Sequence, residues 1–87
     1  MNSLLFTVVL FNKAKRVLNG LPLEIQKRIL AKLTITQEDP FRFFYRLKGR
    51  SDYKLRVGDY RIIADINMAE RRIEITSIGY RRNIYKH

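Results

Sequence analysis

The chain has 87 residues, 46% of them hydrophobic, and its 18 Lys and Arg against 8 Asp and Glu give a formal charge of +10. That length accommodates one domain over residues 1–87 with a thin core, and that composition excludes a disordered chain. The absence of cysteine excludes disulfides, thiolate metal sites and a thiol nucleophile, and it fits a reducing, cytoplasmic setting. A charge this high repels itself, so it implies a polyanionic partner: nucleic acid first, then an acidic protein or a membrane surface.

The apolar run "LLFTVVLF" at residues 4–11 is too short to span a bilayer. It has no basic leader or small-residue cleavage site and does not read as a signal peptide. It predicts a first strand over residues 3–11, buried on both faces. Asn12 then suits the cap of a short helix with Ala14, Val17, Leu18 and Leu21 on one face, ended by Gly20. Pro22 suits the first turn of a second helix. Its apolar stripe is Ile25, Ile29 and Leu33, helped by Leu30, with Lys27, Arg28 and Lys32 facing water. "TQEDP" reads as a loop.

After that loop the period changes from 3.6 to 2. "FRFFYRLKG" predicts a strand with Phe41, Phe43, Tyr45 and Leu47 on one face and Arg42, Phe44, Arg46 and Lys48 on the other. "DYKLRV" turns Tyr53, Leu55 and Val57 inward. "YRIIADI" does the same with Tyr60, Ile62, Ala64 and Ile66, leaving Arg61, Ile63 and Asp65 outward. "RIEITSI" closes the series with Ile73 and Ile75 inward. The order β-α-α-β-β-β-β predicts an α+β domain: an N-terminal strand, a helical hairpin, and an antiparallel sheet with the helices on one side.

Gly58-Asp59 between two alternating runs predicts a two-residue type II′ turn. Val57 then faces Tyr60, Arg56 faces Arg61, and Leu55 faces Ile62. The apolar pairs share one side, as burial requires. The same register brings Arg56 and Arg61 together, with Lys54 two residues along. Like charges opposite each other weaken a sheet. Either the face is simply solvated and basic, or it binds phosphate; the concentration of charge, extended by Arg46 and Lys48, favours phosphate.

The only histidine is His87, at the chain end, a poor place for a preorganised base. No paired carboxylates stand out: Asp65 and Glu74 can face each other across a hairpin, but surface pairing with nearby arginines accounts for them. Walker and dinucleotide spacings are missing. Neither a cofactor nor a metal is expected. Lys, Arg and Tyr remain, and that set can serve phosphodiester cleavage. Arginines stabilise charge developing on phosphoryl oxygens, and a lysine crowded by arginines loses some preference for its charged form. Tyrosines stack on bases. Tyr80 and Tyr85, in the basic tail "GYRRNIYKH", are the best placed; Tyr45, Tyr53 and Tyr60 read as core.

"RLKGRSDYKLRVGDYRII" and "SIGYRRNIY" resemble the central and closing motifs of the RelE/ParE superfamily of bacterial and archaeal toxins, in its RelE-like branch. The opening strand and hairpin, with "LP" before the second helix, are similar too, so the likeness runs over nearly the whole chain. It implies the toxin of a toxin–antitoxin module: a metal-independent endoribonuclease, or mRNA interferase, that cuts mRNA in the ribosomal A site. The RNA 2′-hydroxyl attacks the adjacent phosphate and leaves a 2′,3′-cyclic phosphate. On this resemblance Lys54 is the base, with Arg56 in support. Arg61 and Arg81 clamp the phosphate, and Tyr85 orients or stacks a base. Lys48 falls on the basic residue before the motif's Gly, and Arg46 and Tyr80 join the RNA-binding set. Tyr80 stands where many relatives carry His. The implied partners are a RelB-like antitoxin in a hetero-oligomeric complex, the ribosome with its rRNA, and mRNA; no membrane is involved. The alternatives are a ParE-like inhibitor of DNA gyrase with no RNase site, and a basic RNA-binding module with no chemistry.

Overall fold

Gly20 and Pro22, and the change of period at Pro40, divide the chain, and its elements break at the same places. The structure, a computed structural model, describes residues 5–80. Strand β1 covers Thr7–Leu10, helix α1 Asn12–Asn19 and helix α2 Leu23–Thr36. A single helical turn, α3 (Pro40–Phe43), leads to a two-residue strand β2 (Tyr45–Arg46). The long strands β3 (Tyr53–Val57), β4 (Tyr60–Asn67) and β5 (Arg72–Tyr80) follow. All five strands join one sheet in the order β1-β5-β4-β3-β2. The α+β architecture is therefore the one expected. The sheet is not wholly antiparallel, however: β1 lies parallel to β5, with Val8 opposite Ile73 and Leu10 opposite Ile75.

One face of the sheet carries both main helices. Ala14 and Leu18 of α1 and Ile29 and Leu33 of α2 are buried against Leu55, Ile62, Ala64, Ile73, Ile75 and Ile78. Each fully buried Ile or Leu contributes on the order of 1.5–3 kcal/mol through apolar burial. Thr36 is also buried, and its hydroxyl donates to the Leu33 carbonyl at 2.7 Å, so no donor is stranded. Leu30 does not belong to the stripe; it is exposed. Asn12 does not cap α1 either. Phe11 holds that position without a side-chain hydrogen bond, and Asn12 is the first helical residue.

Three departures from the alternating pattern have local causes. The apolar opening run forms an edge strand, with Thr7 exposed and Val8 to Leu10 only half-buried, because β1 has a neighbour on one side alone. Residues 41–43 are helical rather than extended. Pro40 takes the first helical position, where its missing N–H costs nothing, and the Phe44 N–H donates to the Pro40 carbonyl at 2.8 Å. Extended backbone resumes only at Phe44, which is buried. The alternation therefore restarts one step out of phase. In β5, Ser77 faces Ile63 and Ile75 faces Ala64. Thr76 is the extra residue of a bulge, and the inward series becomes Ile73, Ile75, Ile78.

Candidate nucleic-acid interface

The β3–β4 hairpin has the predicted register: Val57 opposite Tyr60, Arg56 opposite Arg61, Leu55 opposite Ile62. Gly58 has φ of 60°, while Asp59 is not among the residues with positive φ, the signature of a type II′ turn. Val57 and Leu55 are buried under the helices. Arg56, Arg61 and Lys54 therefore occupy the sheet's second face, since side chains alternate along a strand.

That face is less open than the sequence implies. Arg56 is exposed and Lys54 half-buried, but Arg61 retains only 4% of its accessible surface. Gly79 stands opposite Arg61 on β5 and adds no side chain there. Ile63, expected outward, is buried at 7% exposure, between Lys54 on β3 and Ser77 on β5. The cations thus surround a partly dehydrated, partly apolar patch, where charge acts more strongly than in open water. Arg56 also borders a groove against α2, shared with Arg28 and Lys32.

The other predicted residues divide. Lys48 sits in the β2–β3 loop, exposed, in a turn closed by the Arg50 N–H to the Leu47 carbonyl. Gly49 supplies its positive φ of 73°. Arg46 is not on the cationic face. It pairs with Tyr53, and its guanidinium lies 5.7 Å from that ring's centre. Tyr80 pairs with Tyr60 on the helix-covered side and meets it edge-on at 5.2 Å. Tyr45, read as core, is 65% exposed and pairs with Lys54, which puts it on the cationic face. Both the Arg46 and the Tyr45 reversals follow from the phase shift at α3. Arg81 and Tyr85 lie outside the described residues.

Asp52, Glu70 and Glu74 are engaged in ion pairs with Arg50 and Arg72. Asp65 does face Glu74 across β4 and β5, and Glu74 binds Arg72 at 2.7 Å. That hydrogen bond holds the Arg72 guanidinium more firmly protonated than usual. Among the described residues no three His, Cys, Asp or Glu side chains converge as a metal site. No helix among them is long and apolar enough to cross a membrane.

Fold and site together define a small basic α+β protein with a cationic sheet face backed by a helical pair. Residues 8–85 match the family model of the ParE toxin of type II toxin–antitoxin systems, parDE. The chain belongs to this family, within the RelE/ParE superfamily of toxins. Sequence comparison with curated proteins gives no match. Among solved structures, the chain is similar to one in the RelBE2 toxin–antitoxin complex of Mycobacterium tuberculosis, with TM-score 0.81 and 22% identity over 88% of this chain and 99% of that one. It is similar to one in the archaeal RelE–RelB complex of Pyrococcus horikoshii, with TM-score 0.74 and 26% identity over 87% and 94%. It is also similar to the YoeB/ParE toxin of Agrobacterium tumefaciens, with TM-score 0.73 and 13% identity over 86% and 98%.

Proposed function

We propose that this toxin is a ribosome-dependent endoribonuclease that cuts mRNA in the A site. The observation that carries the reading is the cross-strand pair Arg56–Arg61, with Lys54 on the same face and Arg61 buried. A scissile phosphate seated there is held by cations fixed before it arrives, so little reorganisation is needed as charge grows. Lys54 takes the proton from the 2′-hydroxyl. The 2′-oxygen bonds to phosphorus, the bond to the 5′-oxygen breaks, and the leaving oxygen takes a proton from a water molecule, the hydroxide so formed being neutralised by the proton that Lys54 holds. The products are a 2′,3′-cyclic phosphate and a 5′-hydroxyl. Arg61 and Arg81 stabilise the phosphoryl oxygens, since a guanidinium rarely gives up its proton. Tyr85 orients a base. The ribosome supplies alignment, which can account for much of the barrier reduction.

Two of the structural neighbours are toxins bound to RelB-type antitoxins, and a cognate antitoxin of that kind fits the charge of this chain. An acidic, partly helical segment laid over the cationic face both neutralises and blocks it. The exposed cations Lys13, Lys15, Lys27 and Arg28 of the helices suit rRNA phosphates.

The family match itself, to a ParE toxin, favours a second reading: inhibition of DNA gyrase without RNA chemistry. Against it stands the full set of Arg61, Arg81 and Tyr85, which ParE-like toxins generally lack. Mapping mRNA ends on programmed ribosomes separates the two. The wild type is expected to cut, and Arg61→Ala and Arg81→Ala each to lose roughly 10²–10³ in rate, with circular dichroism checking that each variant is folded. Wild-type cleavage by both variants overturns the assignment. Inhibition of gyrase supercoiling with no mRNA cleavage establishes the second reading.

A further inference from the structure

The most exposed tyrosine ring among the described residues is Tyr45, at 65%. The other described tyrosines have aromatic partners: Tyr53 meets Phe41 at 5.6 Å, and Tyr60 meets Tyr80 at 5.2 Å. A lone exposed ring by itself needs no explanation. This one has particular company. It is the direct cross-strand partner of Lys54, so the two side chains start about 5 Å apart. Arg56 and Arg61 lie further in on the same face. On the outer side, two residues from Tyr45, the chain enters a loop whose Lys48 and Arg50 are exposed.

Single-stranded nucleic-acid sites combine a cationic track with aromatic faces on which bases lie flat. Here Arg61, Lys54 and Tyr45 fall on three successive strands, about 4.8 Å apart. Tyr45 therefore stands about 12 Å from Arg61, two strands across and two residues along, within reach of a short stretch of extended RNA. We propose that Tyr45 is a base-stacking platform for a nucleotide flanking the scissile phosphate, with the strand continuing toward Lys48 and Arg50. The inference rests on the endoribonuclease reading. Stacking accepts any base, so the contact strengthens seating of the strand without dictating its sequence.

The test uses single-turnover cleavage of mRNA on programmed ribosomes by the full-length protein. Tyr45→Ala is expected to lower the rate roughly five- to a hundredfold, the span of one lost stack, while Tyr45→Phe keeps it. Thermal unfolding should be nearly unchanged in both, because the ring is exposed. The specific readout is a cycle with abasic nucleotides on either side of the cut. At one position the abasic mRNA should slow the wild type but slow Tyr45→Ala no further. Equal cleavage by wild type and Tyr45→Ala, or additive losses at every abasic position, overturns the stack while leaving the nuclease intact. Absence of cleavage by the wild type removes the nuclease reading, and the stack falls with it.

Discussion

Arg56 and Arg61 face each other across β3 and β4, an arrangement that lowers stability. Like charges directly opposite on neighbouring strands destabilise a sheet, where a favourable pair would contribute about 0.2–1 kcal/mol. Burial of Arg61 sharpens the repulsion, because less water screens it. The neighbouring Ile63 adds an apolar surface where a solvated strand would carry a polar residue. These choices weaken the fold; on the proposed function they also strengthen the field felt by an incoming phosphate, as expected where stability and activity compete. Arg56 is the partner to remove, since it is exposed and its loss opens no cavity. Arg56→Thr keeps a residue that favours strands. It should raise the urea midpoint by the equivalent of about 0.5 kcal/mol while slowing mRNA cleavage. A lower midpoint would mean that the arginine pair is held together by contacts that outweigh its repulsion.

Among the elements, the β3–β4 hairpin was the most legible in the sequence and the segment before it the least. A two-residue turn between strictly alternating strands leaves one register that buries Leu55, Val57 and Ile62 together, so Lys54, Arg56 and Arg61 had to share a face. The turn depends on Gly58 at φ 60°. An added Cβ would meet only an Arg28 nitrogen at 3.6 Å, an ordinary contact, so the penalty is conformational. Gly58→Ala should therefore destabilise by about 1–2 kcal/mol, read from chemical denaturation; an unchanged midpoint would contradict the II′ assignment. The alternating letters of "FRFFYR" fitted a strand equally well. The helical turn at Pro40 won by local hydrogen bonding, and inverted Tyr45 and Arg46. The bulge at Thr76 left no comparable mark in "RIEITSI". The sequence therefore revealed the cationic cluster but misplaced the aromatic residue beside it. The remaining assignments, Arg81 and Tyr85, rest on the motif resemblance.

For the molecule as a whole, the formal charge of +10 on 87 residues has two consequences of opposite sign. It favours association with a polyanion, whose affinity falls steeply with salt as released counterions become more concentrated. It also opposes the compact state, because folding brings the cations closer together. The charges lie on both sides of the sheet: Lys13, Lys15, Lys27 and Arg28 are exposed on the helices, and Arg56 on the opposite face. No single ion pair can neutralise them. Among the described residues the ion pairs formed by Arg50 and Arg72 use Asp52, Glu70 and Glu74, leaving few acids for the rest. Sodium chloride should therefore stabilise the free protein. Raising it from about 0.1 M to about 1 M shortens the screening length from about 10 Å to about 3 Å, less than most separations between these cations. The thermal midpoint should rise over that range, and the variant Lys13→Gln, Lys15→Gln, Lys27→Gln should start higher and rise less. Because weakened repulsion and not general dehydration is responsible, an uncharged osmolyte should raise both midpoints equally. Parallel salt responses in the two proteins would show that the charge is tolerated without cost to folding.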